Sequence, residues 1–423
     1  MKLQLWAAGA VAMACLALPV MAQDNTETAD ALFVAGQFAR AEGLYKALVK
    51  ETPTDAVALT RLGALALYSN RLQEAEDWLE KAIVAKADAT EAQVLLAETF
   101  YRRNDFANAA RSLEAAGSAA ASLPTWPSFT TLVLDKLQSF ANTRPYEIEA
   151  KGPRTVLKFV KTDPLPIVKV TVNGKEAVFF IDTGAAEVLL DTQFAKELGV
   201  PQFAATPALF AGGQGGSVGS GKLETLGLGN WTLKNLPVQI VDTRAFSDAF
   251  GVRIDGCIGT MILSRFLSTM DYARGELVLE PKRTKVAQTP GKVAIRFWLT
   301  GDHVIVANGV VNNLPPALFF VDSGLTSGVN LRQSMFEVAG IRLQEDKASK
   351  AQGGGGSFSS VPYDVAKVAL GPWREKNVPG VFDGPQVAED KFGFYVQGLV
   401  GHEFLKPHRV TYDFARMRIH IVP

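Results

Sequence analysis

Two seven-residue stretches of the chain end in an acid, a hydroxyl and a glycine. Val178-Phe179-Phe180-Ile181-Asp182-Thr183-Gly184 recurs 140 positions later as Leu318-Phe319-Phe320-Val321-Asp322-Ser323-Gly324. A carboxylate after four apolar residues is costly to bury, so its presence there points to use. If Asp182 and Asp322 meet, like charges keep both from ionising, and the pair shares a proton and titrates as a unit with one pKa raised. One member then serves as base and the other as acid, the combination that activates a water and protonates what it attacks. Thr183 and Ser323 place hydroxyls beside the carboxyls, while Gly184 and Gly324 let backbone amides approach the charged form.

Both acids sit in a repeated framework. Leu228-Gly229-Asn230-Trp231 recurs as Leu370-Gly371-Pro372-Trp373, Lys234-Asn235-Leu236-Pro237 as Lys376-Asn377-Val378-Pro379, and Gly256-Cys257-Ile258-Gly259 as Gly398-Leu399-Val400-Gly401. Met270-Asp271-Tyr272 has its counterpart at Tyr412-Asp413-Phe414. Landmarks in one order at a nearly fixed offset define two homologous lobes, 153–285 and 290–423. Short runs rich in Val, Ile and Phe, broken by Gly, Asn, Asp and Pro, make the region all-β. In each lobe the acid is followed by a short predicted helix, Asp191 to Leu198 and Asn330 to Ala339, with Asp191 and Asn330 as N-caps and Gly199 and Gly340 as stops. A glycine-rich stretch comes next. It runs from Ala211 to Gly221 in the first lobe, with Gly212, Gly213, Gly215 and Gly216, and from Gly353 to Ser360 in the second, with Gly353, Gly354, Gly355 and Gly356.

With these motifs in place, residues 153–423 resemble a retropepsin-like aspartic protease with both halves fused in one chain, as in the pepsin arrangement. The resemblance implies a bilobal acid-protease fold, Asp182 and Asp322 as the catalytic dyad, and glycine-rich stretches that close as flaps over a bound peptide. It implies hydrolysis of peptide bonds by an activated water, with a peptide or protein substrate and no cofactor. The chain departs from the pepsin pattern at Ala185 and Leu325, where pepsins carry Ser or Thr, and neither glycine-rich stretch holds a Tyr. Thr260 and His402 follow the apolar-apolar-Gly elements, where retropepsin relatives often place Arg or another polar anchor. A noncatalytic peptide-binding scaffold with degenerate lobes is the alternative that the sequence leaves open.

Before the lobes, three segments share a period of 34: Gly36 to Glu42, Asn70 to Glu76 and Asn104 to Ala110. Small Ala41, Ala75 and Ala109 allow close helix approach, and Phe38, Leu72 and Phe106 fill the space beside each turn. Residues 25–120 resemble tetratricopeptide repeats, which implies stacked helical hairpins with a concave surface for a protein partner. The plainer possibility is a helical cap on the lobes. Residues 121–152, with Pro124, Pro127 and Pro145, read as a linker.

Lys2, the apolar run Leu5 to Leu18 and Val20-Met21-Ala22 form a signal peptide with cleavage expected after Ala22. The run is shorter than the roughly 20 residues of a spanning helix, so a periplasmic or secreted protein with no membrane span after cleavage is expected. The mature chain would keep Cys257 alone and hold no intrachain disulfide. With 43 basic and 43 acidic side chains, the chain lacks the positive surface that nucleic acid requires. Its 48% hydrophobic content excludes disorder as the main state. His303, His402, His408 and His420 show no metal-ligand spacing. Gly215-Gly216-Ser217-Val218-Gly219 matches the nucleophile-elbow pattern but is flanked by glycine with no helix pattern leaving it, and Leu223 stands where a phosphate loop needs Ser or Thr.

Overall fold

The computed structural model describes residues 28–423 apart from 87–88, 124–132, 141, 211–213, 290, 302, 354–355 and 385–392. The expected signal segment 1–22 lies outside that range. A helical region is followed by two β lobes. No helix among the described residues is long and apolar enough to cross a membrane.

Helices Phe38–Glu51, Ala56–Tyr68, Leu72–Ala85, Thr90–Arg102 and Phe106–Ala116 succeed one another as antiparallel neighbours. The period of 34 is written in the turns: Gly36, Asn70 and Asn104 all adopt left-handed φ of 71°, 57° and 65°. Glycine and asparagine tolerate that region better than other residues. Asp55 caps Ala56–Tyr68 by accepting from the amides of Val57 and Ala58, and Asp105 caps Phe106–Ala116 through Asn108. Ala41, Ala75 and Ala109 are fully buried, as their size requires.

The helical region is not a separate body on a linker. Trp298, Leu318 and Val396 of the second lobe lie in the same apolar cluster as Phe33, Phe38 and Tyr68. The Phe38 ring meets Trp298 edge-on at 5.3 Å. Within the expected linker, Glu147–Ala150 is a strand paired antiparallel with Trp231–Val241, so the first lobe recruits it. All four of its residues are exposed, so the first lobe holds the strand without burying a face of it.

Each lobe repeats one topology. The strand leading to the acid, Lys175–Ile181 or Ala317–Val321, pairs parallel with the apolar-apolar-Gly strand, Gly256–Ile258 or Val396–Val400. That strand pairs antiparallel with Val188–Asp191 or Val329–Leu331. The backbone carries the duplication as well: Asn173 and Asn312, Gly229 and Gly371, and Asn235 and Asn377 all have positive φ. Between the lobes, Phe266–Asp271 pairs antiparallel with Arg409–Asp413, joining both into one sheet. Thr269 faces its counterpart Thr411, hydroxyl to hydroxyl at 2.8 Å, so the pseudo-two-fold axis passes between them.

Two local expectations differ between the lobes. Asp191 caps helix Thr192–Glu197 through the amides of Gln193 and Phe194. Asn330 caps nothing: the second helix is Ser334–Ala339, and Asn330 belongs to strand Val329–Leu331 with its amide nitrogen donating to Asp383 Oδ1 at 2.7 Å. A partner distant in sequence competes for the side chain that would otherwise cap. Gly199 and Gly340 take left-handed φ at the helix ends, as expected. The glycine-rich stretches form hairpins, Gln202–Phe210 with Gln214–Leu228 and Ser349–Gly353 with Gly356–Leu370. Gly215, Gly216, Gly353 and Gly356 lie in their strands, while Gly212, Gly213, Gly354 and Gly355 fall outside the described residues.

Candidate active site

The apolar runs are buried because they are central strands, and the ladder ends where the acids begin. The Asp182 amide donates to Ile258 O at 3.1 Å and that of Asp322 to Val400 O at 2.9 Å. The chain then turns, and both carboxyls come together half-buried at the lobe junction. They are hydrogen-bonded to each other.

The hydroxyls lock this junction. The Thr183 amide donates to Ser323 Oγ at 2.9 Å, and the Ser323 amide donates to Thr183 Oγ1 at 2.8 Å. Each hydroxyl in turn donates across the junction, Thr183 Oγ1 to Val321 O at 2.8 Å and Ser323 Oγ to Ile181 O at 3.4 Å. This reciprocal set satisfies four polar groups in a buried place, where an unpaired one would be expensive.

The glycines act twice. The Gly184 amide donates to Asp182 Oδ1 at 2.6 Å and that of Gly324 to Asp322 Oδ1 at 2.9 Å. They also leave room, since a Cβ on Gly184 would lie 2.5 Å from Asp322 Oδ1, and one on Gly324 would lie 2.2 Å from Asp182 Oδ1. At Ala185 and Leu325, where the pepsin hydroxyl is missing, the backbone amides favour the charged forms of Asp182 and Asp322.

Burial pushes both carboxyls above the usual range. For Asp322 the charge of Asp182 adds to burial and drives it well up. For Asp182 the Gly184 amide, the hydrogen bond from Asp322 and the nearby His303 work against burial. The two carboxyls therefore titrate as a unit, with Asp322 the more strongly raised of the pair.

The apolar-apolar-Gly elements support the acid loops from beneath. A Cβ on Gly259 would meet Glu187 O at 2.1 Å, and one on Gly401 would meet Ser327 O at 2.3 Å. Thr260 donates its hydroxyl to Thr183 O at 2.9 Å. His402, its counterpart, is fully buried, with its ring edge-on to Tyr272 and Nε2 3.5 Å from Asp163 Oδ1. Burial lowers its pKa, against the opposing pull of Asp163. Cys257 is buried and unpaired, and its thiol is pushed well up by burial and by Asp182. Among the described residues no group of His, Cys, Asp and Glu could hold a metal ion.

An aspartyl protease family model matches residues 168–262 and again 307–404, once per lobe. Each lobe is thus similar to the aspartyl proteases that this model describes. No curated protein matches the chain. Among solved structures, basic 7S globulin from soybean is 11% identical, with 66% of this chain and 95% of that chain covered at a TM-score of 0.38. Three residues around the paired acids escape sequence reasoning. His303 bears on Asp182, Tyr412 lies near Asp322 and Thr183, and Glu187 is buried behind the first acid loop. Tyr412 alone left a trace, since it stands where the first lobe has Met270.

Proposed function

We propose that the protein is an exported aspartic endopeptidase, with Asp182 and Asp322 as its catalytic dyad. The observation that carries this reading is the hydrogen-bonded acid pair clamped by the Thr183–Ser323 exchange. A water held between the carboxyls gives a proton to ionised Asp182 and attacks the scissile carbonyl, while Asp322 protonates the carbonyl oxygen. The resulting tetrahedral diol collapses as Asp182 gives its proton to the amine nitrogen and Asp322 takes one from a diol hydroxyl, which re-forms the carbonyl and breaks the C–N bond. The pair is left with one proton again. The glycine-rich hairpins serve as flaps that exclude bulk water over the peptide. The helical repeats offer a surface for a substrate or partner protein, and the N-terminal segment directs the chain to the periplasm or beyond.

The test is cleavage of an unbiased peptide library by the purified mature protein between about pH 4 and 7, the range in which a half-protonated pair persists. Cleavage that disappears in Asp182→Asn is the expected result. Tight peptide binding without turnover, unaffected by Asp322→Asn, would instead make the lobes a noncatalytic scaffold.

A further inference from the structure

Helix Thr90–Arg102 ends inside the β region, and its last two residues reach different lobes. Tyr101, 1% exposed, donates its hydroxyl to Glu187 Oε1, and Lys136 of helix Leu134–Ser139 donates to the same oxygen at 2.9 Å. Glu187 is fully buried where the chain leaves the Asp182 loop and enters strand Val188–Asp191. Just before it, the carbonyls of Ala185 and Ala186 accept from the amides of Thr260 and Met261 at 2.9 and 2.8 Å. The buried carboxylate is therefore fixed in the same short segment that carries the acid.

Arg102 turns to the second lobe. Its Nη2 donates to Leu299 O at 2.7 Å and to Gly301 O, and its Nη1 donates to Leu67 O at 2.9 Å, with Glu98 as counter-ion at 2.6 Å. Leu299 and Gly301 precede strand Val304–Val311, which pairs with the strand that ends at Asp322. The second lobe has no counterpart of the Glu187 anchor. Ser327 stands at that position and bonds inside its own lobe, to Val329 O at 3.1 Å. The charged anchor thus occurs only in the lobe where the helices supply its partners.

We propose that Tyr101, Lys136 and Arg102 are positioning residues, a staple from the helical region that sets the two acid loops against each other from behind. A buried carboxylate stripped of its cation is strongly disfavoured, so the Asp182 loop must stay with the helices or open to water. The catalytic consequence rests on the endopeptidase reading, whereas the structural one does not.

The experiment compares full-length Tyr101→Phe, Lys136→Met and Arg102→Met with Arg111→Ala, an exposed control on Phe106–Ala116. Amide hydrogen exchange is read at Thr183 and Ser323, whose N–H groups donate across the lobes, and kcat and KM are read on a cleaved peptide. Exchange at both amides is expected to quicken about tenfold or more, and kcat to fall about tenfold at little-changed KM, with circular dichroism preserved and the control unaltered. If Arg102→Met does not fold, Tyr101→Phe, which removes one oxygen, still decides. Unchanged exchange in Tyr101→Phe and Lys136→Met overturns the staple, and quicker exchange at unchanged kcat overturns its role in positioning the acids. Should the wild type cleave nothing, the exchange result stands, and the failure falls on the endopeptidase reading.

Discussion

At the acids themselves the two lobes are interchangeable, while the residues that surround the acid loops differ in chemistry. Asp182 and Asp322, Thr183 and Ser323, Gly184 and Gly324 make the same contacts in mirror order across the junction. Around them, Glu187 faces Ser327 in the comparison, Thr260 faces His402, and Met270 faces Tyr412. Two carboxyls that meet at a lobe junction need matched backbone on both sides, whereas the flanking positions answer to whatever packs on each lobe. That inequality is also chemically useful, because two equal acids would have no preferred site for their single proton. His303 and the hydrogen bond favour charge on Asp182, and the Asp182 charge disfavours it on Asp322.

The largest break in the symmetry is Asp322→Asn, expected to lower kcat by about 10³-fold or more because the acid and the shared proton go together. The same variant tests the titration. A carboxyl whose pKa rises on folding stabilises fully below its unfolded value of about 3.9 and loses that contribution as pH climbs through its folded value. The Tm of the wild type should therefore decline from about pH 4 upward, and Asp322→Asn should flatten that decline. A Tm profile with the same slope in both would mean that the Asp322 carboxyl is not raised on folding.

A smaller break is Gly324→Ala, in which the new methyl collides with the Asp182 carboxyl. The lobes must part or the acid must turn, at an expected cost of about 1–3 kcal/mol by denaturant unfolding together with loss of cleavage. Gly184→Ala should behave alike, since its clash with Asp322 is similar; a clear difference between the two would show that one loop yields more readily. Subtler still is Thr183→Val against Ser323→Ala. Each leaves a buried amide without its partner, and each should cost about 1–3 kcal/mol. Thr183→Val is expected to be the worse, because its hydroxyl makes the shorter onward bond, 2.8 against 3.4 Å.

What could be read from the sequence was what local chemistry imposes. Four apolar residues before each acid mark a buried strand, the glycine after each hydroxyl marks a close approach, and the offset of 140 marks two lobes. Turn residues at 36, 70 and 104 announce the helical period through their tolerance of left-handed φ. What escaped depends on partners far away in the chain. Glu187 reads as an ordinary surface acid until Tyr101 and Lys136 arrive from 86 and 51 residues upstream. Asn330 reads as a cap until Asp383 claims it, and Glu147–Ala150, exposed along its length, finds its place only when Trp231–Val241 arrives to pair with it and Lys234 donates to Glu149.

The Thr269–Thr411 pair has a consequence beyond holding the lobes together. A position on a two-fold axis meets its own image, so it admits only a side chain that can bind a copy of itself. A hydroxyl is both donor and acceptor and meets that condition, whereas a lysine or an aspartate would face its own charge. In a fused chain the two halves are free to drift apart in sequence. Here, as at Thr183 and Ser323, a change in either half is judged directly by its opposite number, and threonine in both halves satisfies that judgement.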